Sequence, residues 1–222
     1  MKTYNDLFIS LPEHREPGLA ELIAQYSHTV RLPEKMIYVS PGDLVDTIIY
    51  IAEGKTISYM INFGGQEKVS YILSAGWFLR ESAFVRSVPK TALRYLRAET
   101  ATVLFSINRS NYEKLMCYPL FSKALLRSAS VKNEMVRRQA ESLALDSGQS
   151  RLLKLLFSLA DSDQLIDGAW HPLLVRYTHQ QMSAIIGVNR VTVSRYISEL
   201  CNEGKIRIVN RKIEVRRGLV FN

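Results

Sequence analysis

The chain has 222 residues, 47% of them hydrophobic, and 29 Lys/Arg against 21 Asp/Glu give a formal net charge of +8. That length fits one or two domains, and so much apolar material argues against disorder. No apolar run reaches the length of a membrane span, and Met1-Lys2-Thr3-Tyr4-Asn5-Asp6 lacks the apolar region of a signal peptide, so a soluble cytoplasmic protein without a membrane partner is expected.

Residues 1–30 read as an entry segment with a helix around 18–26. From 31 onward the texture changes. Stretches 36–39, 47–51, 56–61 and 69–73 are rich in β-branched and aromatic residues. Pro41-Gly42-Asp43, Glu53-Gly54-Lys55, Phe63-Gly64-Gly65-Gln66 and Ala75-Gly76 separate them as turns. A last strand pair is expected over 92–98 and 101–107, completing a β domain over 1–108. A flat two-layer sandwich and a closed roll both satisfy that spacing.

Residues 110–145 switch to helical period. Leu126, Ala129, Asn133, Val136, Ala140 and Leu143 follow a 3-4-3-4-3 spacing, a heptad seam with charges on both sides. One amphipathic helix packed on its own β domain would show a similar pattern. The seam favours a partner helix, because Asn133 at an a position can pair with its mate and fix a parallel register. A homodimer built on 109–146 is therefore expected, with a hinge at Asp146-Ser147-Gly148-Gln149-Ser150.

The remaining residues, 147–222, hold 11 Lys/Arg and 6 Asp/Glu, a surplus of +5 that suits a phosphate backbone. A buried helix is expected over 151–160 and a short strand over 172–175. Thr178 can cap a helix whose Met182, Ile185 and Ile186 share a face, and Gly187 can end it in a left-handed turn. Asn189 can cap a second helix with Val193, Ile197 and Leu200 buried, ended by Gly204. Two short helices about a glycine turn form a helix-turn-helix, whose second helix enters the major groove of double-stranded DNA. The alternating residues of 206–209 and 212–215, joined at Asn210-Arg211, read as a wing. DNA contacts are expected from Thr178, His179 and Gln180 and from Asn189, Arg190, Val191, Thr192, Ser194 and Arg195. Arginine can bond guanine in bidentate fashion. Val191 cannot accept from cytosine N4, as a glutamate could, but its methyls can meet a thymine, so an A·T-rich half-site, close to TTAAT and repeated as a palindrome, is expected.

The string T-x-x-x-M-x-x-I-I-G-V-x-R-x-T-V-S-R-x-I-x-x-L-x-x-x-G resembles the DNA-binding signature of the catabolite activator and fumarate/nitrate regulator superfamily. The resemblance implies an α+β fold: an antiparallel β-roll of the cyclic-nucleotide-binding type, a long dimerisation helix and a C-terminal winged helix-turn-helix. It also implies a promoter-binding transcription regulator or activator that has RNA polymerase and a small-molecule effector as partners and is not an enzyme. No catalytic motif stands in the sequence, and the four histidines are scattered. Cys117 and Cys201 match neither a disulfide framework nor a zinc pattern, and Cys201 reads as packing. The iron–sulfur branch of the superfamily holds its cluster on cysteines this chain lacks, so neither cofactor nor metal is expected.

In the cyclic-nucleotide binders that the chain resembles, a glutamate meets the ribose and an arginine the cyclic phosphate. Glu81 matches the first. Lys90, followed by Thr91, stands at the second, and lysine lacks the planar fork that grips phosphate. Val191 followed by T-V-S-R is similar to the chlorophenol-sensing regulators of organohalide respiration, which place a lysine of the dimer helix against a phenolate. Lys132 corresponds to it. A halogenated or phenolic aromatic effector is therefore expected, contacted by Tyr71, Trp77, Glu81, Lys90, Thr91 and Lys132, with Tyr50 and Tyr95 as further aromatic walls. A cyclic-nucleotide-responsive regulator, a cyclic-nucleotide-binding enzyme subunit and an architectural DNA-binding protein with an empty roll are the alternatives.

Overall fold

Alternation of β-branched and aromatic residues with glycine turns produces nine strands in the N-terminal part of the computed structural model, which describes residues 9–81, 84 and 91–218. They are β1 (Ser10–Leu11), β2 (His28–Leu32), β3 (Ile37–Val39), β4 (Thr47–Glu53), β5 (Lys55–Ile61), β6 (Glu67–Ser74), β7 (Phe78–Leu79), β8 (Tyr95–Ala98) and β9 (Thr102–Asn108). They form a five-stranded sheet in the order β1-β6-β5-β8-β3 and a four-stranded sheet in the order β2-β9-β4-β7. Every registered pair is antiparallel except β1 against β6. This is the expected antiparallel roll.

Three strands escape sequence reading. β1 and β7 are two residues long, and β2 is a largely exposed edge strand of sequence HTVRL that begins ahead of the change in texture at 31. The predicted entry helix shortens to α1 (Leu19–Ala24). The helical stretch 110–145 is two helices, α2 (Arg109–Met116) and α3 (Pro119–Leu145). Pro119 lacks an N–H and has a fixed φ, so it opens a helix well and cannot continue one. A core of Leu19, Ile23, Ile48, Tyr50, Phe78 and Phe121, among others, lies between the four-stranded sheet and the helices.

All six seam positions of α3 are exposed: Leu126 at 71%, Val136 and Leu143 at 47%, with Ala129, Asn133 and Ala140 between them. Ala124, Leu125, Ser128, Lys132 and Met135 occupy the buried face of the same helix. The break in helix expected over 146–150 spans only two residues. Ser147 already caps α4 (Gly148–Ser158) by accepting the Ser150 N–H, leaving only residues 146 and 147 between helices. Asp146 is itself held, accepting from Lys154 Nζ at 2.8 Å and Ser142 Oγ at 2.5 Å.

Contacts divide the chain into two units: Ile9–Met60 with Val69–Arg137, and Ile61–Lys68 with the residues from Arg138 onward. The second unit continues through β10 (Trp170–Pro172), α5 (His179–Ile186), α6 (Arg190–Asn202), β11 (Ile206–Val209) and β12 (Lys212–Arg216), with sheet order β10-β12-β11. The strand expected at 172–175 lies earlier. Trp170 to Pro172 pair with Arg216 to Glu214, while Leu173 makes only an isolated bridge to Ala160. Among the described residues no helix is long and apolar enough to cross a membrane.

Candidate functional site

Helix α5 begins with a complete capping box. Thr178 Oγ1 accepts the Gln181 N–H at 3.2 Å, and Gln181 Oε1 accepts the Thr178 N–H at 2.8 Å. Gly187 ends the helix at φ 76°, a conformation that penalises any side chain bearing a Cβ. Two cations satisfy the last carbonyls: Lys68 Nζ donates to Ile185 O at 2.9 Å and Arg151 Nε to Ile186 O at 3.0 Å. Burial, with Arg151 close by, pushes the Lys68 ammonium down to about 8.

Asn189 then caps α6, its Oδ1 accepting the Thr192 N–H at 2.7 Å. Val193, Ile197 and Leu200 are buried, as their spacing requires, and leave the opposite face in solvent. Arg190, Val191 (79% exposed) and Arg195 stand on that free face. Thr192 and Ser194 are half-buried. Ser194 Oγ is hydrogen-bonded to His179 Nδ1 at 2.8 Å, which ties α5 to α6. Of the expected DNA contacts, His179 therefore has this ring nitrogen occupied by the serine. Thr178 and Gln180 are exposed, and Asn189 is exposed but spends its Oδ1 on the cap. Arg195 lies 3.6 Å from Glu199, an exposed i,i+4 pair of little energetic weight.

The wing turns at Asn210 and Arg211, with φ 49° and 61°, the two left-handed residues of a tight two-residue hairpin. Its base is fixed by Arg207, which donates to buried Glu214 at 2.6 Å and to Asp167 at 2.7 Å and covers the Trp170 ring. Arg211 and Lys212 project from the tip.

A cavity of about 650 Å³ lies in the β-roll unit. Of the six residues expected to contact an effector, Tyr71, Glu81, Thr91 and Lys132 line it. Trp77 does not: it is buried, and its Nε1 donates to Pro12 O at 2.7 Å, which turns the ring into the core. Lys90 lies outside the described residues. Of the further aromatic walls, Tyr95 lines the cavity and stacks on Tyr59, whereas Tyr50 is core.

Lys132 belongs to the buried face of α3, not the edge of the seam. Its ammonium pairs with Glu81 and donates to Phe78 O at 2.6 Å. Ser128 Oγ donates to Glu81 at 3.0 Å and accepts the Phe78 N–H at 3.1 Å. The two charged groups that resemblance assigns to ligand therefore satisfy each other. Ala129, Asn133 and Val136 of the seam also line the cavity.

Residues 150–218 match the Crp-like helix-turn-helix domain. Over 85–94% of its length the chain shares its fold with three solved structures. One is the c-di-GMP-responsive global regulator CLP of Xanthomonas campestris, at TM-score 0.78 and 20% identity, covering 92% of this chain and 100% of that one. Another is CprK complexed with OCPA, at TM-score 0.73 and 19% identity, covering 94% and 95%. A third is TTHA1359, a transcriptional regulator of the CRP/FNR family from Thermus thermophilus, at TM-score 0.66 and 23% identity, covering 85% and 93%. Among curated proteins none matches.

Within the Crp-like domain the structure adds residues that motif reading passed over. Ser198 continues the exposed stripe of Val191 and Arg195 by one helical turn. Arg211 and Lys212 follow from the left-handed turn between two alternating strands. In the roll, Arg80 lines the cavity, a half-buried charge that no motif marked.

Proposed function

We propose that this chain is an effector-responsive transcription regulator that binds a palindromic promoter site as a homodimer. The observation that carries the reading is the free face of α6: Arg190, Val191 and Arg195 in solvent at the start of a helix capped by Asn189, inside a Crp-like domain with a basic wing tip. That is the arrangement of a recognition helix, which presents its N-terminal residues to base edges while nearby cations position it on phosphate. Homodimerisation is supported by the exposed α3 seam, since six exposed, mostly apolar positions in heptad register have a natural partner in their own copy. The effector is a small aromatic molecule in the 650 Å³ cavity, a volume in the range of small-molecule sites. Seam residues line that cavity, so ligand and partner helix compete for or share the same side chains. That is the differential contact an effector needs to bias two arrangements. RNA polymerase is the expected further partner at the promoter, in the cytoplasm.

An electrophoretic mobility shift on an A·T-rich palindromic duplex tests the reading. The wild-type chain is expected to retard the duplex with two copies per site, and to retard a single half-site far less. Arg195→Ala is expected to weaken binding by about 1–3 kcal/mol if the guanidinium reads a base. Equal affinity for palindrome and half-site would overturn the dimeric reading, and equal affinity for any sequence would overturn the regulatory one.

A further inference from the structure

We propose that Arg80 is the anion anchor of the β-roll cavity, and that the cavity takes a ligand with an apolar body and a single negative charge. The inference rests on the reading of the cavity as an effector site.

The charge inventory of the cavity is lopsided. Among the described residues its charged lining is Glu81, Lys132, Arg80 and Arg94. Glu81 and Lys132 neutralise each other, and Ser128 and the Phe78 backbone fill their remaining bonds. Arg94 is exposed and donates to Ser70. Arg80 is half-buried, and among the described residues its one side-chain hydrogen bond is a long one, 3.4 Å, to the Thr47 hydroxyl. Asp43 and Asp46 act on Arg80 through space, yet neither forms an ion pair with it. Asp43 is committed to the Ser40 N–H at 2.8 Å. A guanidinium keeps its charge under all ordinary conditions, so a half-buried one without a carboxylate retains strong donors for an incoming anion.

The backbone at Arg80 points the same way. Its φ is 70°, a left-handed conformation that a residue with a Cβ adopts at a cost. Burial adds to the cost, pushing the guanidinium below its ordinary range against the opposing pull of Tyr38, Asp46 and Asp43. A glycine would relieve the strain and a neutral side chain would avoid the burial. Both penalties are offset when an anion pairs with the guanidinium. Val39, Leu79, Leu93, Leu96 and Val136 give the same cavity apolar walls that match a hydrocarbon or aromatic body.

The test uses two acids and their neutral counterparts, naphthylacetate against naphthylacetamide and phenylbutyrate against phenylbutyramide, titrated by calorimetry into the full chain and into Arg80→Gly, Arg80→Gln and Arg80→Lys. Arg80→Gly suits the left-handed backbone and is expected to fold at least as well as the wild type. The wild type is expected to favour each acid over its amide by about 10- to 100-fold, the value of a hydrogen-bonded charge. Arg80→Gly and Arg80→Gln are expected to lose that preference, and Arg80→Lys to keep part of it. An undiminished preference for acids in Arg80→Gly would move the anchor elsewhere and overturn the assignment, as would a wild type that binds no acid. The mobility shift is run on the same preparations. Acid preference in a chain without DNA affinity would leave the anchor standing and remove the regulatory reading; DNA affinity without acid preference would do the reverse.

Discussion

Replacing Lys132 by methionine is expected to destabilise the β-roll unit severely, because it leaves Glu81 buried without its counter-charge. The side chains of Lys132 and Glu81 are 10% and 7% exposed, so water screens the pair little. Breaking a buried pair from one side costs about 3–5 kcal/mol. In a chain of this size each kcal/mol lowers Tm by about 2–4 °C, so the midpoint is expected to fall by about 6–20 °C. Glu81→Leu/Lys132→Met removes both charges together. It forfeits the hydrogen bonds to Ser128 and Phe78, at about 1–3 kcal/mol, and leaves no stranded carboxylate. The double variant is thus expected to be more stable than Lys132→Met alone, with a coupling energy on the order of 2 kcal/mol. Denaturant unfolding followed by circular dichroism on the wild type, both single variants and the double variant gives the cycle. A loss below about 1 kcal/mol in Lys132→Met, with no coupling, would refute the reasoning and put the Lys132 ammonium in the open cavity.

Two further outcomes follow from the same geometry. Val136→Glu/Leu143→Glu sets like charges opposite each other along the α3 seam and is expected to give monomers in sedimentation; a surviving dimer would mean association through another surface. The Lys68 ammonium is held near 8 against an ordinary 10.5, so the folded chain releases its proton before the unfolded chain does. Stability is then expected to rise as pH climbs through 8 towards 10, and Lys68→Met should flatten that rise in urea midpoints measured at pH 7.5 and 9.5. Identical pH slopes in both proteins would show that Lys68 is not held at the end of α5.

The helix-turn-helix was legible because every boundary has a local chemical cause. Thr178, Gly187, Asn189 and Gly204 each act within one turn of their own position, so the sequence around them suffices. The heptad seam was legible for a similar reason, since one helix sets its own exposed face. What sequence spacing could not show was which residues meet across the roll. Glu81 and Lys132 are 51 positions apart, and nothing in either segment indicates that they satisfy each other. Trp77 looked like a pocket wall because aromatic residues favour such places, yet its indole N–H found Pro12 O in a segment that carries no strand signal. The break at Pro119 was available to sequence reading and was overridden by the continuous helical period on either side of it.

Selection of binding sites from a random pool of duplex DNA, run on the wild type and on Val191→Glu, tests the central claim most directly. Val191 is 79% exposed one turn before Arg195, and its methyls can meet thymine but cannot accept a hydrogen bond from cytosine. The wild type is expected to select an A·T-rich palindrome with half-site centres about one helical turn apart, and Val191→Glu to shift one position of each half-site towards a G·C pair. Identical selected sites from the two proteins would show that position 191 does not read bases, and would contradict the placement of α6 in the major groove.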